Sequence, residues 1–248
     1  MKNLMKRIIV LAVILSCFQL TTHAQPDINF LDKKGYFKLG GGMVFPGHEF
    51  SGLLENGLFA KNGYQFGFDF NYIIAYGFGV GANLEFNGFG FNRQAFFNYS
   101  QADRMEAQGG YTSSKFGLNL LFNVPVLFGS ENFVLNFYGE GNAGLRGIAI
   151  PAIDLYYNEL VNKYVEVSYR SRASTMGYLG YSGGIQMLFN QKFGINLSYN
   201  EVLRSRHSIK YSVRKMDALG ELYEAESYIH DYLDNKGFQI AFLFLLGK

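Results

Sequence analysis

Cysteine occurs once, at Cys17, and tryptophan does not occur at all. A lone cysteine excludes a disulfide framework and a zinc site built on thiolates. Only 4 prolines are present, and no triplet repeat runs through the glycines, so collagen-like and proline-rich classes are excluded. Charged residues make up 17%, against about 25% in an ordinary soluble domain, which excludes a disordered or solvating chain. Neither sign of charge prevails: 22 Lys and Arg stand against 20 Asp and Glu, a formal +2. Long apolar runs are also missing past the N-terminus. The strongest, Ile240 to Leu246, is far short of the about 18 residues that mark a spanning helix. What remains abundant is 30 Gly, 25 Phe and 18 Tyr in 248 residues. That length suits one large domain or two small ones.

The N-terminus reads as an address. Lys2, Lys6 and Arg7 precede the apolar run Ile8 to Leu15, and Thr22-His23-Ala24 offers small residues before Gln25. This is the layout of a secretory signal peptide over residues 1–24. The run is too short for a membrane anchor, which needs about 20 residues. A lipoprotein reading would use Ile14-Leu15-Ser16-Cys17, but that box lies inside the apolar run. Cleavage after Ala24 removes three cations and no anions, taking the formal +2 to −1. The basic excess therefore gives no argument for nucleic acid as a partner. Residues 25–35 would form a short periplasmic segment and 36–248 the folded part.

Period-two alternation, the strand signature, fills the rest. In residues 64–72 Tyr64, Phe66, Phe68, Phe70 and Tyr72 alternate with Gln65, Gly67, Asp69 and Asn71. Phe78, Val80, Ala82, Leu84 and Phe86 alternate with Gly79, Gly81, Asn83, Glu85 and Asn87. Similar patterns cover 115–123, 133–140 and 193–200, with weaker ones at 36–45, 176–189 and 237–247. These are eight strands in four pairs. Short connections fall near 75–77, 125–132 and 190–192; long ones cover about 46–62, 88–113, 147–175 and 205–235. An even strand count with short turns at one end and long loops at the other predicts an all-β, eight-stranded antiparallel up-and-down transmembrane β-barrel of the outer membrane. Weak alternation at 161–170 and 208–214 would lengthen the hairpins or bring the barrel to ten strands. A secreted lipocalin-like barrel would instead point its apolar face inward around a ligand. The polar face here is rich in Gly, Asn, Gln and Ser, which suits a tight interior better than a solvated exterior.

At Leu120-Leu121-Phe122-Asn123-Val124-Pro125-Val126-Leu127 a strand runs into an aliphatic-Pro-aliphatic-Leu turn, and the next strand bears Gly139, Gly141, Ala143 and Gly144. This resembles the PorT-like outer-membrane β-barrel family. The resemblance extends over 36–248 as a pattern and over about 115–145 as a motif. Members often place a basic residue after the Leu; Phe128 and Gly129 follow here. The resemblance implies an outer-membrane location and a barrel of eight to ten strands. It supplies no catalytic residues and no cofactor, and secretion is a role of certain members only.

The polar face carries Lys38, Asp69, Glu85, Lys115 and Glu140, with Arg146 at the rim. A buried charge without a partner costs several kcal/mol, so this balance predicts internal ion pairs that plug the lumen. Glu140 is expected roughly level with Lys115. A gated proton path, or an acid/base pair of Glu85 and Glu140, are the functional alternatives. An eight-stranded barrel is just wide enough for its own side chains, which argues against both an open pore and a lumenal substrate.

Outside the barrel, His48, His207 and His230 fall in long loops without metal-ligand spacing, and no metal is expected. His207-Ser208 could mimic the Ser/His pair of a lipid hydrolase, though adjacent strand residues point to opposite faces. No nucleophile elbow or phosphate loop occurs, so no enzymatic activity is expected. Arg170, Arg172, Arg204 and Arg206 lie at the outer ends of neighbouring strands and are candidates to grip lipopolysaccharide, with Glu166 and Glu201 as balancing charges. The acidic stretch after Met216 could form a short surface helix. Tyr156, Tyr157, Tyr164 and Tyr169 offer contact area for an envelope or extracellular protein. The expected role is structural or interaction-based; a small transport or secretion-accessory barrel and a lipid-modifying enzyme are the alternatives.

Overall fold

The computed structural model describes residues 35–53, 58–75, 77–127, 133–160, 163–190, 192–203 and 206–246. The signal peptide, its cleavage site and most of the 25–35 segment lie outside the described residues. Among the described residues thirteen strands and one helix follow in chain order: β1 (Gly35–Pro46), β2 (Ala60–Ala75), β3 (Phe78–Phe91), α1 (Arg93–Ser100), β4 (Arg104–Gln108), β5 (Tyr111–Leu127), β6 (Phe133–Ala149), β7 (Ala152–Leu160), β8 (Lys163–Ser171), β9 (Thr175–Phe189), β10 (Phe193–Val202), β11 (Arg206–Met216), β12 (Leu222–Tyr232) and β13 (Asn235–Leu246).

Eight of these close into a barrel in the order β1-β13-β10-β9-β6-β5-β3-β2. All its pairs are antiparallel, and the seam joins the first strand to the last, from Gly35↔Leu246 to Pro46↔Asn235. The eight alternating segments read from the sequence are these eight strands. At the tight turn between β2 and β3, Gly77 has φ +81, and a Cβ there would lie 2.3 Å from the Asn123 carbonyl oxygen. Glycine alone combines that conformation with so close an approach.

The alternation sorts the two faces of the wall. Tyr64, Phe66, Phe68, Phe70 and Tyr72 all face outward and are exposed, as are Phe116, Leu118 and Leu120 and, on the last strand, Phe238, Ile240, Phe242 and Phe244. Gln65, Asn71, Asn87, Asn119, Asn136, Gln186 and Asn196 are buried inside. The lipocalin-like alternative is thereby set aside: its apolar residues would line the lumen, and here they cover the outside.

The long connections hold the unexpected part of the fold. β4, β7, β8, β11 and β12 form a second sheet in the order β12-β11-β8-β7-β4, contributed by the second, third and fourth loops. The weakly alternating segments at 161–170 and 208–214 therefore do not widen the barrel to ten strands; they lengthen the third- and fourth-loop hairpins, which pair with each other through β8 and β11. The fourth loop also corrects the expected surface helix: 222–232 is a strand paired along its whole length with β11. Tyr223, Ala225 and Ile229 alternate with Glu224, Glu226 and His230, a period-two pattern that the acidic composition masks. Among the described residues a helix, α1, lies in the second loop, where Asn92 accepts the Ala95 N–H at its start.

A hydrophobic core binds this sheet to the barrel mouth. It includes Val44, Phe89 and Ile148 from the wall, Phe50 and Leu58 from the first loop, and Ile153, Leu155, Ile209 and Leu233 from the others. Phe50 packs edge-on against Phe89 and Tyr111, with ring centroids 4.9 and 5.2 Å away. A second cluster of Tyr36, Ile73, Leu121, Val134, Tyr138, Leu188 and Leu243 fills the opposite end of the lumen.

Two variants separate these layers. Leu120→Arg puts a charge on the outward belt and should cost about 2–4 kcal/mol of stability in lipid, read as a lower urea midpoint of the vesicle-folded protein. Leu155→Ala opens the cap core at a cost of about 2–5 kcal/mol. Limited proteolysis should then cut the loop sheet while the barrel still migrates as a folded species on unboiled gels.

Candidate functional site

Between the two apolar clusters lies a polar layer. β1 and β2 pair Lys38 directly across from Asp69, and β3 and β5 pair Glu85 with Lys115. Side chains on the inner pleat of so narrow a barrel also reach across the lumen. Lys38 Nζ lies 3.0 Å from an Asp69 oxygen and 2.6 Å from Glu140 Oε1, while Lys115 Nζ lies 2.6 Å from Glu85 Oε1. Both ammonium groups also sit over rings, Lys38 at 4.9 Å from the Tyr138 centroid and Lys115 at 5.7 Å from that of Tyr178. Ser182 Oγ donates to the second Glu140 oxygen at 2.9 Å.

Arg146 is fully buried and takes a different role. Its Nε donates to Ser113 Oγ and its Nη1 to the Leu233 carbonyl, each at 2.8 Å. It therefore ties the barrel wall to the end of the fourth loop. The expected levelling of Glu140 with Lys115 is corrected: the register sets Lys115 opposite Arg146 and Glu140 opposite Leu121, and Glu140 reaches Lys38 on β1, which faces β6 across the lumen. Glu85 and Glu140 sit on different lysines and form no acid/base pair.

Glycine makes room for these contacts. A Cβ at Gly117 would lie 2.4 Å from the Tyr178 hydroxyl, and one at Gly81 2.1 Å from Asn71 Oδ1. Tyr178 donates to Asn83 Oδ1 at 2.9 Å. Farther down, Asn136 Nδ2 donates to Asn123 and Gln186. The space left over is a cavity of about 40 Å³, lined by Lys38, Asp69, Glu85, Lys115 and Glu140 among others. That is room for a few ordered waters and not for a substrate.

On the outer side Arg170 and Arg172 take different partners. Arg170 contacts Asp154 at 2.6 Å, and Arg172 contacts Glu224 at 3.1 Å. Arg204 lies outside the described residues, and Arg206 is placed by its backbone, opposite Tyr232 on β12. The expected balancing acids act elsewhere. Glu166 accepts from Ser168, and Glu201 accepts from the hydroxyls of Tyr181 and Tyr199 at 2.7 and 2.6 Å. The cause is the loop sheet, which brings Asp154 and Glu224 to the guanidinium groups from strands that sequence spacing could not place. Beside them Lys210 bonds Glu226 at 2.7 Å. That hydrogen bond raises the lysine pKa and lowers that of the carboxylate.

Two further expectations change. Tyr157 and Tyr169 pack against the cap core and are not free contact area. Tyr156 lies at the Arg104 guanidinium, and the Tyr164 side chain is outside the described residues. The His207 side chain lies outside the described residues; Ser208 Oγ lies 2.7 Å from Nδ1 of His230, directly opposite on β12. The Tyr228 ring stacks on that imidazole with centroids 6.2 Å apart. The pair is exposed on the ladder of β11 and β12.

No family model matches the chain, and no curated protein matches it. Solved structures with a similar fold include Neisserial surface protein A, at 8% identity and a TM-score of 0.48, covering 86% of this chain and 97% of that one. The outer membrane protein OprG from Pseudomonas aeruginosa has 12% identity and a TM-score of 0.41, covering 87% and 98%. Ail, the attachment invasion locus protein of Yersinia pestis, has 12% identity and a TM-score of 0.39, covering 86% and 99%.

Lys38→Met should strand Asp69 and Glu140 and cost about 3–5 kcal/mol, measured as a fall in the unfolding midpoint in urea. Adding Glu140→Gln should recover part of the loss. A double variant no more stable than the single one would show that the two groups do not act as a pair.

Proposed function

We propose that this chain is an integral outer-membrane barrel whose interior is closed and whose work is done by the rigid sheet above it. The carrying observation is the merger of three long connections into one five-stranded sheet with its own core. Such loops ordinarily move independently of one another. Here a shared ladder and a common apolar floor hold them in one surface.

The apolar belt supports the membrane reading. Lipid offers no hydrogen bonds, so a spanning sheet must close on itself and turn its apolar side chains outward. This wall does both. The short turns would then face the periplasm and the loop sheet the exterior. Apolar residues at the tip of the fourth-loop hairpin support an interaction role: Met216, Leu219, Leu222 and Tyr223 are all exposed there, with Leu219 at 79%. Apolar groups held in water by a rigid support are characteristic of a contact surface for another protein.

Conduction is disfavoured by the two apolar clusters and the ion-paired layer between them. A lipid-modifying role is disfavoured at Ser208 and His230, because the pair stands exposed on a strand ladder, and an oxyanion is best stabilised in a site that excludes water.

Labelling of intact cells tests the orientation. A cysteine at Leu219 should react with a membrane-impermeant maleimide, and one at Lys192, in a short turn, only after the outer membrane is permeabilised. The purified protein should shift on gels when boiled and stay silent in planar bilayers. Recovery as a soluble periplasmic protein with unchanged mobility would overturn the proposal.

A further inference from the structure

The outward face of the barrel is not uniformly bulky. Just under the loop sheet its residues align in cross-strand rows. One row runs Phe66, Phe86, Ser114, Gly147 and Thr175 across β2, β3, β5, β6 and β9. The row above it runs Tyr64, Gly88, Thr112 and Ala149. Large rings on β2 and β3 thus give way to glycine, alanine and hydroxyl residues on β5, β6 and β9.

The step leaves a groove of about 560 Å³, within the roughly 300–1,000 Å³ usual for small-molecule sites. Its far bank is the segment 171–175, which descends from β8 to β9. Arg172 is the one charged residue among its lining residues. The guanidinium contacts Glu224 at 3.1 Å, and the five donors of an arginine leave others to bind a ligand. Below the groove the next outward residues on β5 and β6, Phe116 and Leu145, are apolar and exposed. The groove therefore opens downward onto the apolar belt and upward onto an Arg–Glu pair.

We propose that this groove seats one zwitterionic glycerophospholipid of the phosphatidylethanolamine type. The inference rests on the membrane reading above. The phosphodiester would lie on Arg172, which suits planar phosphate contacts, and the headgroup ammonium would approach Glu224. The acyl chains would run down the ring bank of Phe66 and Phe86 and over Phe116. Charge favours this occupant. A single cation in the lining matches a single phosphate, and the adjoining carboxylate matches an ammonium. Lipid A carries two phosphates and no ammonium, so it would leave one phosphate unmatched and set another against Glu224.

Native mass spectrometry of the full chain, folded in a non-ionic detergent and stripped of lipid, tests the assignment. The probes are phosphatidylethanolamine, phosphatidylglycerol, diacylglycerol and lipid A. One phosphatidylethanolamine per chain should bind saturably, about tenfold more weakly in Arg172→Gln, with diacylglycerol at background. Glu224→Gln should abolish the preference for phosphatidylethanolamine over phosphatidylglycerol. Ser114→Phe fills the groove while leaving Arg172 in place, and should cause the same loss as Arg172→Gln. Every variant is first checked for the mobility shift on boiling, so that lost binding is not lost folding. Undiminished binding by both Arg172→Gln and Ser114→Phe, equal binding of diacylglycerol, or a preference for lipid A would each overturn the proposal. Absence of bound lipid in a heat-modifiable barrel refutes the groove alone; a chain soluble without detergent refutes the membrane reading beneath it.

Discussion

Closure of the backbone ladder between β1 and β13 is the constraint on which the structure depends. Twelve residue pairs join the first strand to the last, and without them an open edge would face surroundings that cannot hydrogen-bond to it. Once closed, the cylinder has a fixed inside and outside. Because successive side chains alternate, every residue is assigned to one or the other. Rings and aliphatic chains on the outward pleat meet an apolar environment; amides, small residues and a few ions fill what is left.

The interior shows how charges can be held in such a place. Removing ions from water costs more than one contact returns, unless further hydrogen bonds complete their shells. Lys38 has two carboxylates and a ring, Glu140 has a lysine and a hydroxyl, and Arg146 uses a hydroxyl and a carbonyl. Lys38–Asp69 and Glu85–Lys115 join neighbours in the ladder, whereas Lys38 on β1 and Glu140 on β6 stand opposite one another. That last contact braces the cylinder across its diameter, which ladder bonds along the circumference cannot do.

Much of this was legible in the sequence because period two is a local signal. Residues 64–72 state their own faces, and so do 78–87 and 115–123. The turn positions followed from the same reading, and so did the six residues that carry the interior charges. Partnership across the lumen was not legible, since it depends on which strands oppose one another in a closed ring. The loop sheet was hidden for a different reason. Residues 222–232 carry Glu at 224 and 226 and Asp at 231, and this acidity obscured an alternation that only pairing with β11 makes plain. The partners of Arg170 and Arg172 were hidden with it, as was the groove below, which arises from small residues spread over four strands.

The sheet above the barrel has a consequence for how this surface can change over generations. In a barrel with separate loops, each can lengthen, shorten or drift without disturbing the rest. Here β11 lies between β12 and β8, and β7 between β8 and β4, so an insertion in one connection would throw its neighbours out of register. Diversification should therefore be confined to places outside the ladder, above all the 217–221 bend between β11 and β12, and that bend is the natural point at which to graft a foreign peptide for display.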